Sequence, residues 1–168
     1  MLSIINEDLV LIQEKRSAKS EVLKSMVNLL HKSGRVTDSE KLYKQVMERE
    51  KIQSTGIGEQ IAIPHAKSDC VNIISVAICI CKTGIEFDSW DKKPVRLVFL
   101  IAAPATMTKT YLQIIAKIAR ILKTRDWREK FTTCDKPKEV IKVLENFDEA
   151  YPDRLKIEIS ENGRALLR

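Results

Sequence analysis

The stretch VRLVFLIAA, residues 95–103, constrains the fold more than any other. It is nearly all apolar and of strand length. A strand with one wet face alternates apolar with polar residues. One without alternation is buried on both faces, which calls for a layer of helices on each side of the sheet. The flanking sequence supplies those helices. Residues 18–33 carry Val22, Leu23, Met26, Val27 and Leu30 at helical spacing and meet a stop at Gly34. TDSE at 37–40 sets Glu40 three residues after Thr37, a capping box that opens a second helix with Leu42, Tyr43, Val46 and Met47 on its apolar face and an end near Lys51. TKTYLQIIAKIARILKT reads as the longest helix, with Leu112, Ile115, Ile118, Ala119 and Leu122 as its inner stripe. Trp127 and Phe131 fall at i and i+4 on a short helix, and Asp135 is the expected cap of a last helix carrying Val140, Ile141, Leu144 and Phe147.

Strands are expected at IAIPH, closed by Pro64, at VNIISVAICICKT (71–83) and briefly at Ile85–Phe87. The alternation of helices and strands predicts an α/β class with a mixed, mostly parallel central sheet flanked by helices on both faces. Residues 1–147 form the expected domain. The polar tail, 148–168, reads as a C-terminal extension with one strand in LKIEIS.

The formal net charge of +6 invites a nucleic-acid reading. The cations, however, are dispersed among acids, as in KSEVLKS and DKPKEVIK, with no basic run of five. No nucleic-acid partner is therefore expected, and an acidic protein or a phosphorylated group suits the charge as well. Cys70, Cys79, Cys81 and Cys134 form no C-x-x-C pair, and with two histidines they give no zinc spacing. Cys79 and Cys81 share one strand face and read as core thiols of a reducing compartment. No apolar run approaches the ~20 residues of a membrane span, and the first residues lack a basic segment leading into an apolar one. A cytoplasmic protein with no direct membrane insertion is expected.

GIGEQIAIPHAK, residues 56–67, carries the chemistry. His65 follows Pro64 where a strand is expected to give way to a loop, and ligands of open α/β sheets gather beyond strand ends. Pro64 fixes its own φ and restricts Ile63, and Gly56 and Gly58 permit close or left-handed backbone. Imidazole can act as nucleophile toward phosphorus, general base or ligand. By position alone His65 serves equally as an idle loop residue. Arg49, in EREK, can grip a phosphate with its guanidinium fork, but a solvated arginine at a helix C-terminus explains it more readily. There is no G-x-S-x-G elbow, no P-loop and no intact G-x-G-x-x-G, and nothing in the sequence makes Asp69 an orienting partner for His65. No cofactor and no metal are expected.

The run RE…STGIGEQIAIPHAK, residues 49–67, closely resembles the signature of IIA domains of the bacterial phosphotransferase system, of the fructose/mannitol type. The resemblance continues through FDSWDKKPVRLVFLIAAPA and TKTYLQIIAKIARILK and covers residues 3–147. TKT ahead of the leucine looks most like the nitrogen-regulatory branch. The resemblance implies a mixed sheet flanked by helices and a stoichiometric phosphoryl relay that needs no cofactor. A phosphohistidine on HPr, or on its nitrogen-type paralogue, gives its phosphoryl group to the IIA histidine. That histidine passes it to a cysteine of a IIB domain for sugar uptake, or its phosphorylation state controls a regulatory target. Carried over, the acceptor is His65 through Nε2, with Arg49 helping to hold the phosphoryl group. The chain departs from the family at two positions. Gln60 stands where glycine is common, and Tyr111 stands in place of the second active-site histidine.

Overall fold

The computed structural model describes residues 4–152 and the strand segments 157–159 and 165–167. In chain order, a 3-10 turn at Glu7–Leu9 leads into β1 (Val10–Gln13). Then come α1 (Lys19–Lys32), α2 (Ser39–Ile52), β2 (Gly56–Gly58), β3 (Ile61–Ala62), β4 (His65–Ser68), β5 (Ser75–Ile85) and β6 (Val95–Pro104). Helices α3 (Thr108–Lys123), α4 (Arg125–Thr132) and α5 (Pro137–Ala150) follow, and β7 (Ile157–Ile159) and β8 (Ala165–Leu167) form a separate antiparallel pair. The strand expected in LKIEIS is present at Ile157–Ile159, and the other residues of that stretch lie outside the described residues. The family of contacts in the main sheet follows the order β1-β5-β6-β3-β2, with β4 also on β6. β1 runs parallel to β5, and β3 and β4 run parallel to β6. The β5–β6 and β2–β3 pairings are antiparallel.

The apolar run in β6 is buried on both faces, for the reason its sequence gives. Leu97, Phe99, Ile101 and Ala103 face the layer of α3, α4 and α5. Val98, Leu100 and Ala102 face α1 and α2. β5 divides likewise, with Val76, Ile78 and Ile80 on the first side and Ala77, Cys79 and Cys81 on the second. Cys79 and Cys81 share a face, as expected, with sulfurs 3.6 Å apart. All four cysteines are free and buried.

Several local expectations shift. Asp38, not Thr37, caps α2 by accepting from the Lys41 amide at 2.9 Å, while the Thr37 hydroxyl donates to the Cys70 carbonyl. Asp135 caps no helix. Its carboxylate pairs with Lys82 at 2.6 Å, and Glu139 reaches back to the Asp135 and Lys136 amides at the start of α5. The inner stripe of α3 is Tyr111, Ile114, Ile118, Ile121 and Leu122, and Leu112 is exposed. Both stripes have helical spacing. The surface offered by β6 and by the Phe131 and Phe147 rings selects the one that includes Tyr111. Val71 sits outside β5 in an isolated bridge to Val36, and β5 extends through Ile85, taking in the start of the short strand expected at 85–87.

Candidate functional site

His65 opens strand β4; it does not sit in a loop beyond a strand end. The reason lies in the register. Ile61 pairs with Leu97 and Ala62 with Val98; His65 then pairs with Ile101 and Ala66 with Ala102. The offset is the same before and after Pro64, so β3 and β4 are one strand interrupted without insertion. Pro64 has no amide hydrogen to give a ladder, but its carbonyl still accepts from the Ile101 amide at 2.9 Å. Side chains alternate through the break. Ala62 and Ala66 face α1 and α2; Ile61, Ile63 and then His65 face the α3 side. β2 pairs with β3 alone, so among the described residues the outer edge of β4 is left open beside the histidine.

The histidine ring is oriented by its own backbone. Nδ1 lies 2.8 Å from the Ile63 carbonyl oxygen. A carbonyl only accepts, so Nδ1 carries the proton and Nε2 keeps its lone pair. Burial holds the His65 pKa below its ordinary 6.5. The Ile63 hydrogen bond acts the other way, and the Arg49 charge lowers it further. A half-buried neutral imidazole with an unprotonated Nε2 is the nucleophilic form.

Arg49 comes from the last turns of α2. Its guanidinium donates to the Gln53 carbonyl at 3.0 Å, and among the described residues it has no carboxylate partner. Its charge acts on both His65 and Tyr111, which places the three groups together. Tyr111 lies in the first turn of α3, with its ring edge-on to His65 at 5.8 Å between centroids. Burial pushes its hydroxyl up to about 12, so it remains a neutral donor. The structure thus brings together all three residues singled out in the sequence.

The sequence reading missed Glu50, Thr55, Lys67 and Thr108. Glu50 is buried, and its carboxylate accepts from the Thr55 amide at 2.8 Å, the Thr55 hydroxyl at 2.6 Å and the Lys19 ammonium at 2.8 Å. The Thr55 carbonyl accepts from the Ile63 amide at 3.0 Å, and the Ile63 carbonyl accepts from His65. A continuous hydrogen-bonded path therefore fixes the strand ahead of the histidine to α2. Lys67, two residues beyond His65 on the same strand face, donates to the Thr108 hydroxyl at 2.9 Å and lies 5.9 Å from the centre of the Tyr111 ring. Its signal was the period of two from His65, visible only once the strand is read through Pro64. Gly56 admits the loop of Ser89 and Trp90. A Cβ there would stand 2.9 Å from the Ser89 Cα, and the Trp90 amide donates to the Gly56 carbonyl. Ile52 at the end of α2, Ile57 of β2, Trp90 of the β5–β6 loop and Leu112 of α3 are exposed apolar side chains.

A family model described as "Phosphoenolpyruvate-dependent sugar phosphotransferase system, EIIA 2" matches residues 3–147. The chain is 35% identical over 137 residues to a fructose-specific EIIA component from Haloferax volcanii, covering 82% of this chain and 89% of that one. Nitrogen regulatory protein IIA-Ntr from Neisseria meningitidis superposes with a TM-score of 0.77 at 28% identity, over 84% of this chain and 97% of that one. Enzyme IIA of mannitol in its complex with phosphorylated enzyme IIB from Escherichia coli superposes with a TM-score of 0.73 at 25% identity, over 84% and 97% of the two chains. The chain belongs to the EIIA 2 family of the phosphoenolpyruvate-dependent sugar phosphotransferase system.

Proposed function

We propose that the protein is a phosphohistidine carrier that takes a phosphoryl group from phospho-HPr on Nε2 of His65 and passes it to a cysteine of a IIB domain for sugar uptake. The observation that carries this reading is the Nδ1–H bond to the Ile63 carbonyl, which leaves Nε2 as the free nucleophile at an open strand edge beside Arg49, which has no carboxylate partner among the described residues. In the transfer, the Nε2 lone pair forms the new N–P bond while the electron pair of the donor's N–P bond leaves with the donor nitrogen. The proton stays on Nδ1, hydrogen-bonded to the Ile63 carbonyl, so the phosphorylated ring carries a positive charge beside the phosphoryl oxygens. Arg49 supplies a second cation, and the Tyr111 hydroxyl a neutral hydrogen bond. Positioning and fixed charge account for most of the catalysis in such a transfer. The exposed side chains of Ile52, Ile57, Trp90 and Leu112 suit docking of protein partners rather than a small molecule.

In this reading residues 1–147 form the carrier domain and 148–168 an appended extension, and the free buried thiols suit a reducing cytoplasm. A second reading is favoured by Tyr111. Without the charge of a second histidine, the protein serves as a nitrogen-regulatory type IIA whose phosphorylation state controls a partner. Intact-mass spectrometry after incubation with phosphoenolpyruvate, enzyme I and HPr tests the carrier role. One phosphoryl group is expected on the natural chain and none on His65→Ala. The same mass gain on the alanine variant would refute the assignment. Onward transfer to a fructose- or mannitol-type IIB separates sugar relay from regulation.

A further inference from the structure

We infer that Lys67 is a positioning cation of the phosphorylated site, supplying in this chain the positive charge that tyrosine at position 111 cannot. The inference rests on the carrier reading above and goes beyond it. β4 sets His65 and Lys67 on one face, about two strand steps apart. The Tyr111 ring stands beside both, 5.8 Å from the imidazole centroid and 5.9 Å from the Lys67 ammonium. The ammonium is held by the Thr108 hydroxyl at 2.9 Å, a neutral partner that does not offset its charge. Among the described residues Lys67 has no ion pair, unlike Lys19, Lys41, Lys82 and Lys117, each of which meets a carboxylate within 3.0 Å. Among the described residues, then, two cations without carboxylate partners stand around this site: Arg49, whose charge acts on His65, and Lys67, beside the Tyr111 ring. An arrangement of this kind attracts an anion.

The lysine stem is flexible and its ammonium has three donors, so it can keep one hydrogen bond on Thr108 and turn another to a phosphoryl oxygen on Nε2. Thr108 is the first residue of α3, and no acidic side chain lies in that helix's first turn to compete for the ammonium. Tyr111 lies near both cationic positions. Its hydroxyl adds a hydrogen bond and no charge.

The test compares the natural chain with Lys67→Gln, Lys67→Arg and Lys67→Gln/Tyr111→His, following phosphohistidine by mass spectrometry with phospho-HPr as donor. If the natural chain takes no phosphoryl group, the carrier reading itself fails and this inference falls with it. If it does, Lys67→Gln is expected to lower kcat and shorten the phosphohistidine lifetime by about tenfold, the scale of one charge-assisted hydrogen bond at an exposed position, with little change in KM for the donor. Lys67→Arg is expected to stay within about threefold of the natural chain, and the double variant to regain activity below the pKa of the new histidine. A Lys67→Gln protein with unchanged kcat and lifetime overturns the inference and leaves the carrier reading standing. So does an effect confined to KM, which would make Lys67 a docking residue.

Discussion

Replacing Glu50 with alanine removes the acceptor of three hydrogen bonds at once: those from the Thr55 amide, the Thr55 hydroxyl and the Lys19 ammonium. The Glu50 side chain is only 3% exposed, and that of Lys19 17%. Water can therefore reach little of what is left behind. Breaking a buried pair by removing one partner costs about 3–5 kcal/mol. Lys19 retains the Phe87 carbonyl at 3.2 Å and the Phe87 ring at 4.3 Å, which argues for the lower part of that range. In a domain of this size each kcal/mol corresponds to roughly 2–4 °C, so the melting temperature should fall by about 6–15 °C. Glu50→Gln keeps one carbonyl acceptor and should lose about half as much. Urea unfolding followed by circular dichroism gives the free energies. A second readout is the 15N shift of His65 Nδ1, which should move because Thr55 holds the Ile63 segment that orients the ring. A loss under about 1 kcal/mol for the alanine variant, with an unmoved His65 signal, would refute the claim that this carboxylate anchors the site.

The remaining expectations concern the ring and its neighbours. Because burial lowers the folded-state pKa of His65, the native state binds fewer protons than the unfolded one as pH falls below 6.5. The contribution to stability is therefore present in full above that pH and is lost as pH drops toward the lowered value, while Nε2 stays available as acceptor below the pH at which free imidazole protonates. A titration of His65 by NMR with its midpoint at or above 6.5 would contradict this. Arg49→Ala should slow phosphorylation by about 10- to 100-fold, the scale of a charge-assisted hydrogen bond of ~1.5–3 kcal/mol, whereas Tyr111→Phe, which deletes one neutral bond, should cost about threefold to tenfold. Rapid-quench rates decide between them, and equal effects would mean that the two residues do not play the charged and neutral parts assigned to them.

The layers of the fold were legible because the β6 run left no wet face, and a strand of that kind dictates helices on both sides. His65, Arg49 and Tyr111 were legible as members of a motif, and the geometry brings them together. Less legible were features decided by tertiary neighbours. The proline in IAIPH marks a strand end in one dimension, yet β6 continues to pair on its far side, so the strand resumes. The pattern of α3 contains two overlapping stripes, and only the ring stack and the sheet beneath pick between Leu112 and Tyr111. Gln60, at a position where the family commonly has glycine, adopts φ +66° directly after Glu59 at φ +54°. The left-handed turn that glycine would favour is held here with side chains in place, Glu59 being tied to Arg128 at 2.9 Å and, through its amide, to Asp91. Glu50 was not legible as an anchor, because nothing in the linear pattern of EREK shows that Thr55 folds back on it.

The unbroken register across Pro64 gives the site a parity. His65 and Lys67 face Tyr111 because they fall on odd positions of a strand whose even positions, Ala62 and Ala66, pack against the opposite helical layer. Insertion or deletion of a single residue between Ala62 and His65 would exchange those roles. It would turn the imidazole into the α1–α2 core and an alanine methyl toward the open edge. A change of two residues would restore the facing but slide the imidazole a full strand repeat along β6, away from the Tyr111 ring and the Arg49 guanidinium. The five-residue span from Ile61 to His65 is thus as much a determinant of this site as the chemistry of the residues within it.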